Sequence, residues 1–91
     1  MPEINFTVRL PDGETMDCYS PSTIVHEHFR VGEAMPMSEF VRRSRAALAA
    51  ASERVRARYG FYCNSAAAQL ETILERSRAY PESAEVKIIS I

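Results

Sequence analysis

MSEFVRRSRAALAAASERVRARYG, residues 37–60, is the stretch on which the fold of this chain turns. At about 100° per residue, Phe40, Val41, Ser44, Ala47, Leu48, Ala51, Val55 and Tyr59 fall on one stripe. That spacing predicts one long amphipathic helix. Its start is expected near Ser38, whose hydroxyl can accept from a free N–H of the first turn, and Glu39 suits the positive end of the helix dipole. Gly60 suits the left-handed conformation that closes a helix. The residues in the middle of the stripe are mostly small, which lets a second helix or a sheet come close. Six of the ten arginines lie here: Arg42, Arg43, Arg45, Arg54, Arg56 and Arg58.

Downstream, Phe61 and Tyr62 make a short connection. A second helix is expected from a cap at Asn64 or Ser65 to about Ala79, with Cys63, Ala66, Ala67, Leu70, Ile73, Leu74 and Ser77 on its stripe and Pro81 enforcing the stop. So short a link makes the two helices antiparallel neighbours. Upstream, Ile4, Phe6, Val8 and Leu10 alternate with Asn5, Thr7 and Arg9, the period-two pattern of a strand with one buried face. Pro11, Asp12 and Gly13 read as a turn, and residues 14–19 as a second strand completing a hairpin. Ser22 can cap a short helix carrying Ile24, Val25, His28 and Phe29, although Ile24 and Val25 also suit a strand. Gly32 and Pro36 mark a loop, and residues 85–91 a closing strand. The expected fold is α+β in a single domain, residues 1–91. A three-stranded sheet, made of the N-terminal hairpin and the C-terminal strand, packs on a long antiparallel helical hairpin. Such a sheet has two edges, which invite a second copy or another protein, so a dimer or partner complex is expected.

Ninety-one residues suffice for one core, with a stability on the order of 5–13 kcal/mol. The composition, 46% hydrophobic and 25% charged, is that of a folded globular protein and not a disordered one. A net charge of −1 argues against a dedicated nucleic-acid binder, though not against a local basic face. No apolar run approaches the ~20 residues of a membrane span, and the N-terminus lacks a signal region, so a cytoplasmic, non-membrane protein is expected. Two cysteines are too few for a disulfide scaffold.

Candidate chemistry is sparse. Glu39 can pair with Arg42 or Arg43, and Glu53 with Arg56, at helical spacings. Arg54 and Arg58 lie one turn apart on the flank of the stripe, with Arg58 inside its apolar sector. Two cations so close need a carboxylate, an anion or open water. A buried or interfacial acid of the fold is one reading; an anionic ligand or acidic partner held by Arg54, Arg58 and Tyr59 is the other. Tyr59, Phe61 and Tyr62 stand beside them; such aromatics recur at interfaces, but in a hairpin corner they more often seal the core. His26, His28, Cys18 and Cys63 make the residue set of a zinc site without the close ligand pairs of compact zinc modules, so no metal is expected. Cys63 at a helix start could also pair with a histidine as a nucleophile, but reads better as a small buried hydrophobe. Gly13, Gly32 and Gly60 are isolated and build no phosphate-cradling loop, and no cofactor is implied.

The run from Phe6 to Gly13, FTVRLPDG, then Cys18-Tyr19-Ser20-Pro21-Ser22, Glu39-Phe40-Val41 and Ser44-Arg45, resembles one known family. The strongest likeness is ASERVRARYGF, residues 51–61. Together they are similar to the small nitrogen-starvation response proteins of bacteria that are encoded beside a nitrilase in a conserved gene cluster. The resemblance spans nearly the whole chain. It implies a place in nitrogen limitation and nitrile use, and it carries over no catalytic residue. The function expected is therefore that of a non-catalytic accessory or regulatory protein acting by protein–protein interaction, on itself or on a pathway enzyme. Two alternatives stay open: a small-molecule-binding protein or enzyme using Cys18, Cys63, His26 and His28, and nucleic-acid binding along the arginine helix.

Overall fold

The computed structural model describes residues 3–91. The alternating N-terminal run forms strand β1 (Ile4–Arg9), with Phe6 and Val8 buried and Asn5 and Arg9 in solvent. The turn follows as its residue types require. Gly13 sits at φ 92°, in the left-handed region that a side chain disfavours, and its N–H donates to the Leu10 carbonyl at 2.9 Å. The Asp12 carboxylate accepts from the Glu14 N–H at 3.1 Å. That bond is the largest influence holding the Asp12 carboxyl below its usual range. Strand β2 (Thr15–Ser20) then pairs antiparallel with β1, Phe6 opposite Cys18. A 3-10 helix, Thr23–Glu27, comes next, and the Ser22 hydroxyl accepts from the Ile24 N–H at 3.3 Å. Of the two forms open to Ile24 and Val25, the short helix is the one adopted.

The sheet has four strands, not three, and this corrects the expectation from sequence. The added strand is β3 (Ala34–Pro36), in the stretch read as a loop. Three residues are too few to show a period. They are extended because the closing strand, here β4 (Glu85–Ser90), holds them: Ala34 pairs with Lys87, Met35 with Val86 and Pro36 with Glu85. Just before them, the Gly32 N–H donates to the Ile88 carbonyl at 2.7 Å and the Ile88 N–H to the Glu33 carbonyl at 2.8 Å. The strand order is β2-β1-β4-β3, all antiparallel. Pro36, which cannot donate to a ladder, falls on an edge strand, where it is tolerated.

Helix α1 (Met37–Tyr59) begins directly after β3. Ser38 does not cap it. The Met37 and Ser38 N–H groups donate instead to the Ala84 and Glu82 carbonyls, at 2.7 and 3.0 Å. The first-turn donors are thus satisfied by the loop that leads into β4, a partner that no local sequence signal announces. Gly60 closes the helix at φ 84°, as expected, with its N–H on the Arg56 carbonyl. Helix α2 (Asn64–Ser77) begins after Cys63, and neither Asn64 nor Ser65 serves as its cap. It ends at Ser77; a turn through Arg78 and Ala79 leads to Tyr80.

One face of the sheet carries the core. Phe6, Val8, Met16, Cys18, Met35, Val86 and Ile88 point from it toward Met37, Phe40, Ala47, Leu48, Ala66 and Ile73 of the helices. Each large side chain so buried contributes about 1.5–3 kcal/mol. Phe29 sits between the layers, its ring 5.7 Å from Phe6 and 5.6 Å from Phe40. The buried stripe of α1 matches the wheel from Phe40 to Val55, except that Val41 is only half-buried. Ala67, placed on the stripe of α2, is exposed.

Candidate functional site

The last turn of α1 runs past the core. Val55 is its final buried residue, and Arg56, Ala57, Arg58 and Tyr59 all lie in solvent. Two expectations fail here for that one reason. Arg58, placed by the wheel in the apolar sector, is exposed. Tyr59, Phe61 and Tyr62 do not seal the corner: they are 51%, 65% and 63% exposed. The wheel continues the stripe to Tyr59, but among the described residues the buried stripe ends at Val55.

What forms instead is a solvent-facing cluster of rings and guanidinium groups. The Tyr59 and Phe61 rings lie 6.3 Å apart. The Arg58 guanidinium stands 5.8 Å from the centre of the Tyr59 ring and that of Arg56 5.9 Å from Tyr62, both within cation–π range. Arg56 also donates to Glu53, through Nε at 2.9 Å and through Nη2. Arg54 reaches back to the 3-10 helix, where its Nη1 donates to the Ser22 hydroxyl at 3.3 Å. Ser22 is itself buried and held by Ser20, whose hydroxyl donates to the Ser22 carbonyl at 2.8 Å. Beside the cluster opens a cleft of about 270 Å³ lined by Tyr19, Pro21, Val55, Tyr59, Phe61 and Cys63, with Glu3 at its wall. Burial, and then the neighbouring Cys63, push the Tyr19 hydroxyl above its ordinary pKa.

The arginines divide into two groups. In the first half of α1, Arg42 and Arg43 share Glu39 at 2.7 and 2.9 Å, and Arg43 also holds Glu33 at 2.9 Å and the His28 carbonyl at 3.3 Å. Their hydrogen bonds hold the Glu39 carboxyl at about 2. The two Glu39 pairs and Arg56–Glu53 form at the helical spacings read from sequence, whereas Arg43–Glu33 is brought together by the fold. Arg54 and Arg58, in contrast, make no ion pair among the described residues. Their counterpart is not an internal carboxylate of the described chain.

The remaining candidates are dispersed. Cys18 is buried in the sheet face, its thiol donating to the Met16 carbonyl at 3.9 Å, and burial pushes it up to about 12. A thiol held so far from its thiolate form is a poor nucleophile at neutral pH. His26 is exposed on the 3-10 helix and His28 half-buried at its end. Cys63 precedes α2 and packs at the margin of the core. Among the described residues no three or more His, Cys, Asp or Glu side chains gather as a metal site. Tyr19, Pro21 and Val55 were not foreseen as part of any site. Only the packing of β2 and the chain after it against α1 and α2 brings them to the cleft.

A family model described as nitrogen starvation-induced protein NitG matches residues 5–91. Nothing matches among the curated proteins or among the solved structures. No helix in the described residues is long and apolar enough to cross a membrane.

Proposed function

The chain belongs to the NitG family of nitrogen starvation-induced proteins, and from that premise we propose that it is a non-catalytic accessory or regulatory protein of a nitrogen-starvation and nitrile-utilisation response. In this reading it works in the cytoplasm by docking a partner protein through Arg54, Arg58 and Tyr59. The observation that carries the reading is the exposed ring cluster Tyr59, Phe61 and Tyr62 with Arg58 against it, which makes no ion pair among the described residues. Large aromatics left in water forgo the stabilisation that burial brings. Aromatic and arginine side chains are also the types enriched in the buried centres of interfaces, where a few of them carry most of the binding energy.

A sheet-edge dimer has less support. The β3 edge is three residues long and ends in Pro36, and on the β2 edge the Tyr19 N–H already donates to the Gln69 side chain at 3.0 Å. Short edges, proline and side-chain cover are the devices by which proteins blunt such pairing. Nucleic-acid binding along α1 is likewise weakened, because Arg42, Arg43 and Arg56 are engaged by acids of the helix and of Glu33.

The test uses purified full chain against the purified nitrilase and the other products of the proposed gene cluster, read by light scattering and by binding to immobilised chain. Wild type is expected to bind one of them. A Phe61→Ser, Tyr62→Ser double variant should keep its stability within about 0.5 kcal/mol, since both side chains lie at the surface, yet lose binding by an order of magnitude or more. Retained binding by the double variant would remove the docking surface from the account.

A further inference from the structure

We propose that the cleft beside Tyr59 and Phe61 receives an apolar side chain from an acidic segment of the partner protein, with Arg54 and Arg58 holding the carboxylates that flank it. This rests on the docking reading above and adds to it the chemistry of what docks.

The cleft is small and open. At about 270 Å³ it falls below the ~300–1,000 Å³ typical of pockets that enclose a cofactor or drug-sized ligand. It is open to solvent, and apart from Glu3 its lining is apolar with polar tips: Pro21, Val55 and Phe61 beside Tyr19, Tyr59 and Cys63. Such a surface suits a single phenylalanine or leucine side chain carried in on a chain.

The charges decide the character of the chain that carries it. Val55 and Tyr59 line the cleft from α1, and Arg54 and Arg58 precede each of them by one position. Arg54 is also tied to Ser22, next to Pro21 of the lining. Each guanidinium thus lies against the margin of the cleft, that of Arg54 on Ser22 and that of Arg58 5.8 Å from the Tyr59 ring. Glu53, the acid next to Arg54 in sequence, is committed to Arg56. Glu3 lines the cleft and would repel a carboxylate, so the acids of the segment must lie toward α1. The C-terminal end of α1 carries partial negative charge as well, which Arg58 offsets. A carboxylate docked there gains charge-assisted hydrogen bonds from guanidinium groups that make no ion pair among the described residues.

Cys63 lines the cleft, whereas Cys18 is buried with its thiol pushed up, so iodoacetamide reports on the cleft alone. The experiment selects peptides from a random displayed library on the full chain, then measures Cys63 alkylation by mass spectrometry with the synthetic peptides present. Enriched sequences are expected to combine two or more acids with a phenylalanine or leucine and to slow alkylation. Replacing their acids by the amides, or Arg58→Gln in the protein, should weaken that protection about two- to fivefold.

Enriched peptides that lack acids, with amide forms protecting equally, would overturn the acidic chemistry while leaving the docking surface in place. Peptides that bind without protecting Cys63, or no enrichment, would overturn the cleft. Protection of Cys63 by a single-stranded oligonucleotide, lost steeply as salt rises, would replace the peptide by a nucleic acid. The docking reading itself is tested by binding of the wild type to the pathway proteins and by the Phe61→Ser, Tyr62→Ser variant, so the two failures remain distinct.

Discussion

Ser44 is fully buried on α1, and its hydroxyl has no hydrogen-bond partner among the described residues. A polar atom so placed gives up its water and gains nothing in return. Alanine also has the higher helix propensity. Ser44→Ala is therefore expected to raise stability by about 0.5–1.5 kcal/mol in urea denaturation. The opposite case is Glu39, whose carboxyl the hydrogen bonds of Arg42 and Arg43 lower from 4.5 to about 2. Because the folded value is the lower one, the carboxylate stabilises the fold above pH 4.5 and that contribution fades as pH falls toward 2. Glu39→Gln should be less stable than wild type at pH 7, and the gap should close near pH 2. One molar salt should narrow it at neutral pH, since these pairs face solvent. At this scale the ion pairs of Glu39 and Glu53 were legible in the sequence, because helical spacing alone brings their partners into reach. The exposure of Arg58 and Tyr59 was not. A helical wheel gives direction but not what, if anything, lies over a given turn.

The ends of the elements are a mixed record for the same physical reason. Gly60 closes α1 in the left-handed conformation at φ 84°, and a Cβ built there meets nothing within 4 Å. The cost of Gly60→Ala is then purely conformational, about 1–2 kcal/mol by denaturation, with no accompanying clash. Glycine preferences are local, and so they can be read from one position. The start of α1 cannot, because its donors go to the Ala84 and Glu82 carbonyls, far away in sequence. Strand β3 is a similar case. Nothing in Ala34, Met35 and Pro36 prefers an extended form strongly, and the strand exists because β4 lies alongside it. The two strands of the N-terminal hairpin and the closing strand were each visible in advance through alternation or a β-branched run.

Across the whole molecule Phe29 ties three elements together, stacked on Phe6 of β1 and tilted against Phe40 of α1 from the chain that follows the 3-10 helix. It is 2% exposed. Phe29→Ala should cost about 3–5 kcal/mol, a large part of a stability on the order of 5–13 kcal/mol, and lower the urea midpoint accordingly.

Residue pattern alone settled the class of fold, the course of both helices and the hairpin. These follow from hydrophobic period, turn chemistry and capping glycines, all of which act over a few neighbouring residues. The fourth strand, the exposed aromatic corner and the cleft beside it depended on which distant segments came to lie against one another. Burial is a property of neighbours in space, and neither a strand of three residues nor the last turn of a helix carries enough local signal to say who those neighbours are.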